Sequence, residues 1–138
     1  MRRIGSLGLV LLSTLLLGMG GSGGMPSTDT IPRPKERHIA ELTDRLGVTT
    51  RVSYVSCEGK TFFPLKRGEG ILMVPFSKLV RVRFGAEKEA DVEATFQVEG
   101  GQSLEGRIPK TVSISGTTEF GNYRVEARGL REMAFLKP

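Results

Sequence analysis

The chain has 138 residues, with 20 Lys and Arg against 15 Asp and Glu for a net charge of +5, and it contains one Cys, one His and no Trp. A lone cysteine excludes an intramolecular disulfide framework, and a lone histidine leaves only His38 on which a hydrolytic triad or an imidazole metal site could be built. The charge is too small and too mixed in sign for the one-sided basic stripe of a nucleic-acid binder.

The first 24 residues differ in composition from the rest. Arg2 and Arg3 form a short positive start, residues 7–17 are apolar apart from Gly8, Ser13 and Thr14, and residues 18–24 are small or flexible. That order predicts a secretory signal peptide. As a helix the apolar run would reach about 17 Å, against the ~30 Å needed to span a bilayer. Small residues place a cut after Gly20 or after Gly24, and removing residues 1–24 lowers the net charge to +3. The reading is therefore a periplasmic or extracellular protein with no stable membrane span after cleavage. No Cys lies near the cut to carry a lipid.

Residues 25–34, rich in Pro and Thr, predict an extended linker to a single β-rich domain over 35–138. In 35–46, Ile39, Leu42 and Leu46 fall at i, i+3 and i+7, and Gly47 follows, which predicts one short amphipathic helix.

From Thr49 onward the apolar period becomes two. Residues 49–57, 79–84 and 92–98 alternate, and Glu58-Gly59, Gly68-Glu69-Gly70 and Gly100-Gly101 supply turns that tolerate positive φ. The predicted fold is all-β: a small antiparallel sandwich or barrel with one N-terminal amphipathic helix. Cys57 ends one of these strands and is expected either to be buried or to pair with another chain.

Two stretches recur in order. Residues 52–62 lie over 94–104 at an offset of 42, and residues 70–84 over 121–135 at an offset of 51, predicting two β-units over 49–84 and 92–136. The difference in offsets implies nine extra residues around 109–120, with TVSIS as an added strand and Thr117, Thr118 and Glu119 in a candidate binding loop. On the same alignment Val55, Phe63, Leu65, Ile71 and Met73 stand where the second unit has Gln97, Glu105, Arg107, Asn122 and Arg124. These five predict an apolar outer face on the first unit, covered by the helix or docking a protein partner, a second copy or a hydrophobic ligand.

Catalytic motifs are missing: the chain has no H-E-x-x-H, C-x-x-C, phosphate loop or dinucleotide fingerprint, so no catalytic residue, metal or cofactor is assigned. The expected function is a non-catalytic binding or interaction module of the periplasm or cell envelope. Two alternatives are a glycan hydrolase using Glu87, Glu89, Asp91 and Glu93, and a polyanion binder using Arg81 and Arg83.

Overall fold

The computed structural model describes residues 30–137. The predicted signal peptide lies outside the described residues, as does the start of the predicted linker. Ten strands follow one another: β1 Ile39–Asp44, β2 Thr49–Cys57, β3 Phe62–Arg67, β4 Gly70–Pro75, β5 Leu79–Lys88, β6 Asp91–Val98, β7 Ser103–Pro109, β8 Ser113–Thr118, β9 Gly121–Glu126 and β10 Leu130–Leu136. Single 3₁₀ turns, Phe76–Lys78 and Ala127–Gly129, join β4 to β5 and β9 to β10. All ten strands form one antiparallel sheet, in the order β9-β8-β2-β1-β10-β5-β6-β7-β3-β4, which curls as a half-barrel. The architecture is all-β and antiparallel, with one curled sheet in place of two stacked ones.

The residues read as a helix include strand β1. Ala40 and Leu42 are fully buried, while Ile39 and Glu41 turn to the other face, so the segment uses the two-residue period. It pairs on both sides, with Met133↔Leu42 and Phe135↔Ala40 toward β10 and Ala40↔Val52 toward β2. A half-helix stripe could not satisfy those two ladders. Leu46, the third member of the helical stripe, is 89% exposed in the β1–β2 turn. There Asp44 Oδ1 accepts the N–H groups of Leu46 and Val48, both at 2.9 Å, and Gly47 takes φ +88. Gly47 therefore serves a hairpin and does not cap a helix.

The ladder registers contain a regularity. Replacing each strand by the one five places along gives the same strand order read from the opposite end. The central β10–β5 pair, Glu132↔Arg83, Met133↔Val82 and Ala134↔Arg81, maps onto itself when 51 is added or subtracted. Outward from it, Leu42 and Phe96 occupy matching places, as do Ala40 and Ala94, then Val52 and Gly106, each pair 54 apart. Farther out, Ser53↔Thr117 corresponds to Arg107↔Lys66, and Thr117↔Asn122 to Lys66↔Ile71. These registers correct the offset of 42, which laid β2 over β6. They also leave no nine-residue insertion: β8 is the counterpart of β3, 51 residues later, and not an added strand.

One continuous core fills the concave side. Phe63, Phe76, Phe96 and Phe135 form its aromatic spine, with ring centroids 5.1 Å apart for Phe63–Phe76, 5.6 Å for Phe63–Phe96 and 5.0 Å for Phe76–Phe135. Such tilted pairs add stabilisation beyond the buried area. Cys57 is buried and free, and burial, helped by the charge of Glu58, pushes its thiol up to about 12.

Candidate functional sites: a polar groove and an open sheet edge

The five residues read as one apolar face separate into two groups. Val55, Phe63 and Leu65 are fully buried in the core. Phe63 and Leu65 stand opposite Val74 and Leu72 on the concave face, where the Phe63 ring meets Phe76 and Phe96. Val55 turns inward because of a bulge: the β2–β8 register shifts between Ser53 and Ser56, and Tyr54 takes φ +52, so the alternation changes phase and both Val52 and Val55 are buried. Strict alternation read from sequence cannot register that slip. Ile71 and Met73 are the two that remain outside, 59% and 57% exposed on β4, and Leu72 between them is 42% exposed.

β4 is the last strand of the sheet at one end, and β9 at the other. Phe76 N–H donates to Thr61 O at 2.8 Å, which sets the hydrogen-bonding phase of the β3–β4 ladder. Phe63↔Val74 and Leu65↔Leu72 are then the hydrogen-bonded pairs, and Pro64, which has no N–H, falls on a pair that needs none. The backbone donors and acceptors of Ile71 and Met73 consequently face the open edge. In the matching places β9 carries Asn122 and Arg124, with Glu126 in the place of Pro75. A charged edge discourages pairing with another chain, and β4 has no charge from Gly70 to Pro75.

Thr117, Thr118 and Glu119 come together with residues of β1 and β2. They line a hollow of about 730 Å³ on the convex face, whose other walls include Arg37, Arg51, Thr49, Ser53 and Phe120. The hydroxyls are ordered by local bonds. Ser53 Oγ and Thr117 Oγ1 lie 3.2 Å apart, and Thr118 Oγ1 donates to Gly121 O at 2.8 Å while accepting Phe120 N–H at 3.0 Å. The last pair holds the hairpin turn so that the Phe120 side chain stands 92% exposed at the rim. Arg51 Nη2 donates to Glu41 Oε2 at 3.3 Å, both side chains being well exposed. Arg37 and Arg33 lie over the Tyr54 ring, at 6.0 and 3.9 Å from its centroid. Composition alone could not reveal Arg37 and Arg51 as site residues, because the approach of β8 to β2 is what makes the hollow.

The acidic run at 87–93 forms the β5–β6 hairpin, with Lys88↔Asp91 paired across it. Three of its carboxylates are engaged: Asp91, nearly buried, accepts Lys66 Nζ at 2.8 Å and lies 3.6 Å from Arg107 Nη1, Glu87 accepts Lys110 Nζ at 3.0 Å, and Glu93 accepts Lys88 Nζ at 2.8 Å. The hydrogen bond from Lys88 holds the Glu93 carboxyl below the usual carboxylate range. A glycosidase acid needs the opposite shift. Arg81 is committed to Glu132 by an ion pair across β5 and β10. His38 stands edge-on to Phe76 and Phe135, with centroids 5.7 and 6.5 Å away, and its Nε2 lies 3.0 Å from Glu36 Oε1. Among the described residues no three His, Cys, Asp or Glu side chains gather to hold a metal ion, and no helix is long and apolar enough to cross a membrane.

A protein-family model described as "uncharacterised protein" matches residues 34–137, which takes in all ten strands. No curated protein and no solved structure matches the chain.

Proposed function

The chain belongs to this family of uncharacterised proteins, and we propose that it is an exported, non-catalytic interaction module of the periplasm or cell envelope that pairs with a second copy of itself through the open edge of β4. Export rests on the composition of residues 1–24. The interaction rests on one observation: the two ends of the sheet occupy matching places, yet one presents Ile71, Leu72 and Met73 where the other presents Asn122, Tyr123 and Arg124.

A second copy suits this edge because the edge is self-complementary. With a two-fold axis at Leu72, Ile71 of each copy stands opposite Met73 of the other. Their outward backbone groups then exchange hydrogen bonds, and the uncharged strand meets no like charge. The same reading includes an origin: two five-strand units, β1–β5 and β6–β10, arisen by duplication. The matching registers at offsets of 54 and 51 support it.

Light scattering over a concentration series tests the pairing. Dimer formation that Met73→Lys abolishes, and that Arg124→Ala on the opposite edge leaves intact, supports it. Leu72→Cys supplies a second readout, because residues on the axis of a non-hydrogen-bonded pair lie close enough for a disulfide between copies. A strict monomer with no such crosslink overturns the proposal. Fusing residues 1–24 to a reporter and locating it outside the cytoplasm tests export separately.

A further inference from the structure

We propose that the hollow between β2 and β8 is a binding site for an anionic glycan, a site separate from the β4 edge.

The argument starts from the matching place in the other half of the sheet. A second hollow, of about 430 Å³, lies there, lined by Glu93, Thr95, Glu105 and Arg107. The registers put Arg51 in the place of Glu105, Ser53 in that of Arg107, and Ile39 in that of Glu93. At the hairpin tips, Phe120 takes the place of Glu69. The same backbone frame thus carries two differently equipped surfaces, one with two carboxylates and one arginine, the other with two arginines, one carboxylate, more hydroxyls and an exposed aromatic ring. Folding requirements common to both halves do not account for the difference.

The arginines, hydroxyls and exposed ring of the larger hollow each match part of one ligand class, and the Glu119 carboxylate, also on its lining, favours a ligand whose anionic groups lie toward Arg37 and Arg51. Arg37 and Arg51 offer planar donor sets suited to carboxylate or phosphate oxygens. Thr49, Ser53 and Thr117 present hydroxyls that both donate and accept, as sugar hydroxyls do. Phe120 fills no core, and the turn that fixes it through Thr118 holds an apolar ring where a sugar's C–H face can lie on it. The volume lies within the range of about 300–1,000 Å³ typical of small-ligand sites. Glu41 is a built-in competitor, since it occupies Arg51 through an exposed pair that a ligand anion can replace at little cost.

The test is an amide-resolved NMR titration of the folded chain with four probes: a galacturonate oligomer, a mannose-phosphate oligomer, a neutral cello-oligomer and single-stranded DNA. Saturable shifts at Arg51 and residues 117–120 are expected with at least one of the first two, and the stronger of them identifies the anion as carboxylate or phosphate. Arg51→Ala should weaken binding by about tenfold, and Phe120→Ala should weaken it as well. Glu41→Gln should tighten binding, an effect that a merely structural role for Arg51 would not produce. Glu105→Gln, in the matching hollow, should leave affinity unchanged. Equal binding of the neutral oligomer, equal binding of DNA, shifts confined to other surfaces, or no shift with either anionic oligomer would each overturn the proposal. None of these outcomes bears on self-association through β4, which light scattering reads independently.

Discussion

Val52 and Gly116 meet where β2 crosses to β8, and a Cβ built on Gly116 would stand 2.8 Å from the Cβ of Val52. In the matching place of the other half the sizes are reversed: Gly106 takes the position of Val52 and lies under Leu65, and a Cβ built on it would stand 2.9 Å from the Leu65 Cγ and 2.3 Å from the Lys66 carbonyl oxygen. Each of these two strand junctions thus has one glycine and one branched side chain, held on opposite strands. Both glycines permit close strand approach, so at these two positions their lack of a side chain matters more than their backbone freedom.

Gly116→Ala and Gly106→Ala should therefore each destabilise the fold by about 2–3 kcal/mol through overpacking. The two differ in what can relieve them. Adding Val52→Gly to Gly116→Ala should recover part of the loss, because the nearest obstacle is a side chain. Adding Leu65→Ala to Gly106→Ala should not, because the Lys66 carbonyl remains. Urea unfolding of the two double-mutant cycles measures the couplings.

Asp91 ties three strands together by accepting from Lys66 of β3 and standing beside Arg107 of β7. Only one residue pair, Lys66↔Arg107, joins β3 to β7 in the ladder, so the carboxylate supplements a thin junction. Asp91→Asn should cost about 1.5–3 kcal/mol, the range for hydrogen bonds to charged groups. Hydrogen exchange should quicken at Lys66 and Arg107 before it does at the central β5–β10 pair.

Phe76 occupies a 3₁₀ turn whose counterpart, 51 residues on, holds Ala127, and it touches Phe63, Phe135 and His38. Phe76→Ala should cost about 3–5 kcal/mol as a cavity opens along the aromatic spine. Thermal unfolding followed by circular dichroism checks it.

The folded Cys57 thiol keeps its proton to about pH 12, whereas the thiol of the unfolded chain releases it near its ordinary value of 9.0. Between these values the unfolded state binds fewer protons, so the contribution of Cys57 to stability is complete below pH 9.0 and is lost as pH rises toward 12. Stability of the wild type should fall more steeply across that window than that of Cys57→Ala. Alkylation of Cys57 at pH 8 should proceed only after unfolding.

Most strands were legible because their signals are local. Residues 49–57 and 91–98 alternate, and Gly59, Gly68, Gly100 and Gly101 all adopt positive φ in the turns between strands. Segment 39–44 was not legible, since Ile39, Leu42 and Leu46 satisfy a helical stripe as well as Ala40 and Leu42 satisfy a strand. Three of the five residues of the candidate face lie on the buried side for a related reason: a one-residue bulge at Tyr54 redirects Val55, and the alignment at an offset of 42 puts Phe63 and Leu65 on the wrong side.

By itself the sequence determined an all-β antiparallel chain and the positions of most strands and turns, all of which depend on neighbours within a few residues. Only the tertiary structure decided that residues 39–44 form a strand, that β8 answers to β3, which side of β3 is buried, and that Arg37, Arg51 and Phe120 share one hollow. Those outcomes depend on hydrogen-bond partners many residues away, and a strand's own pattern specifies its two faces without naming its neighbours.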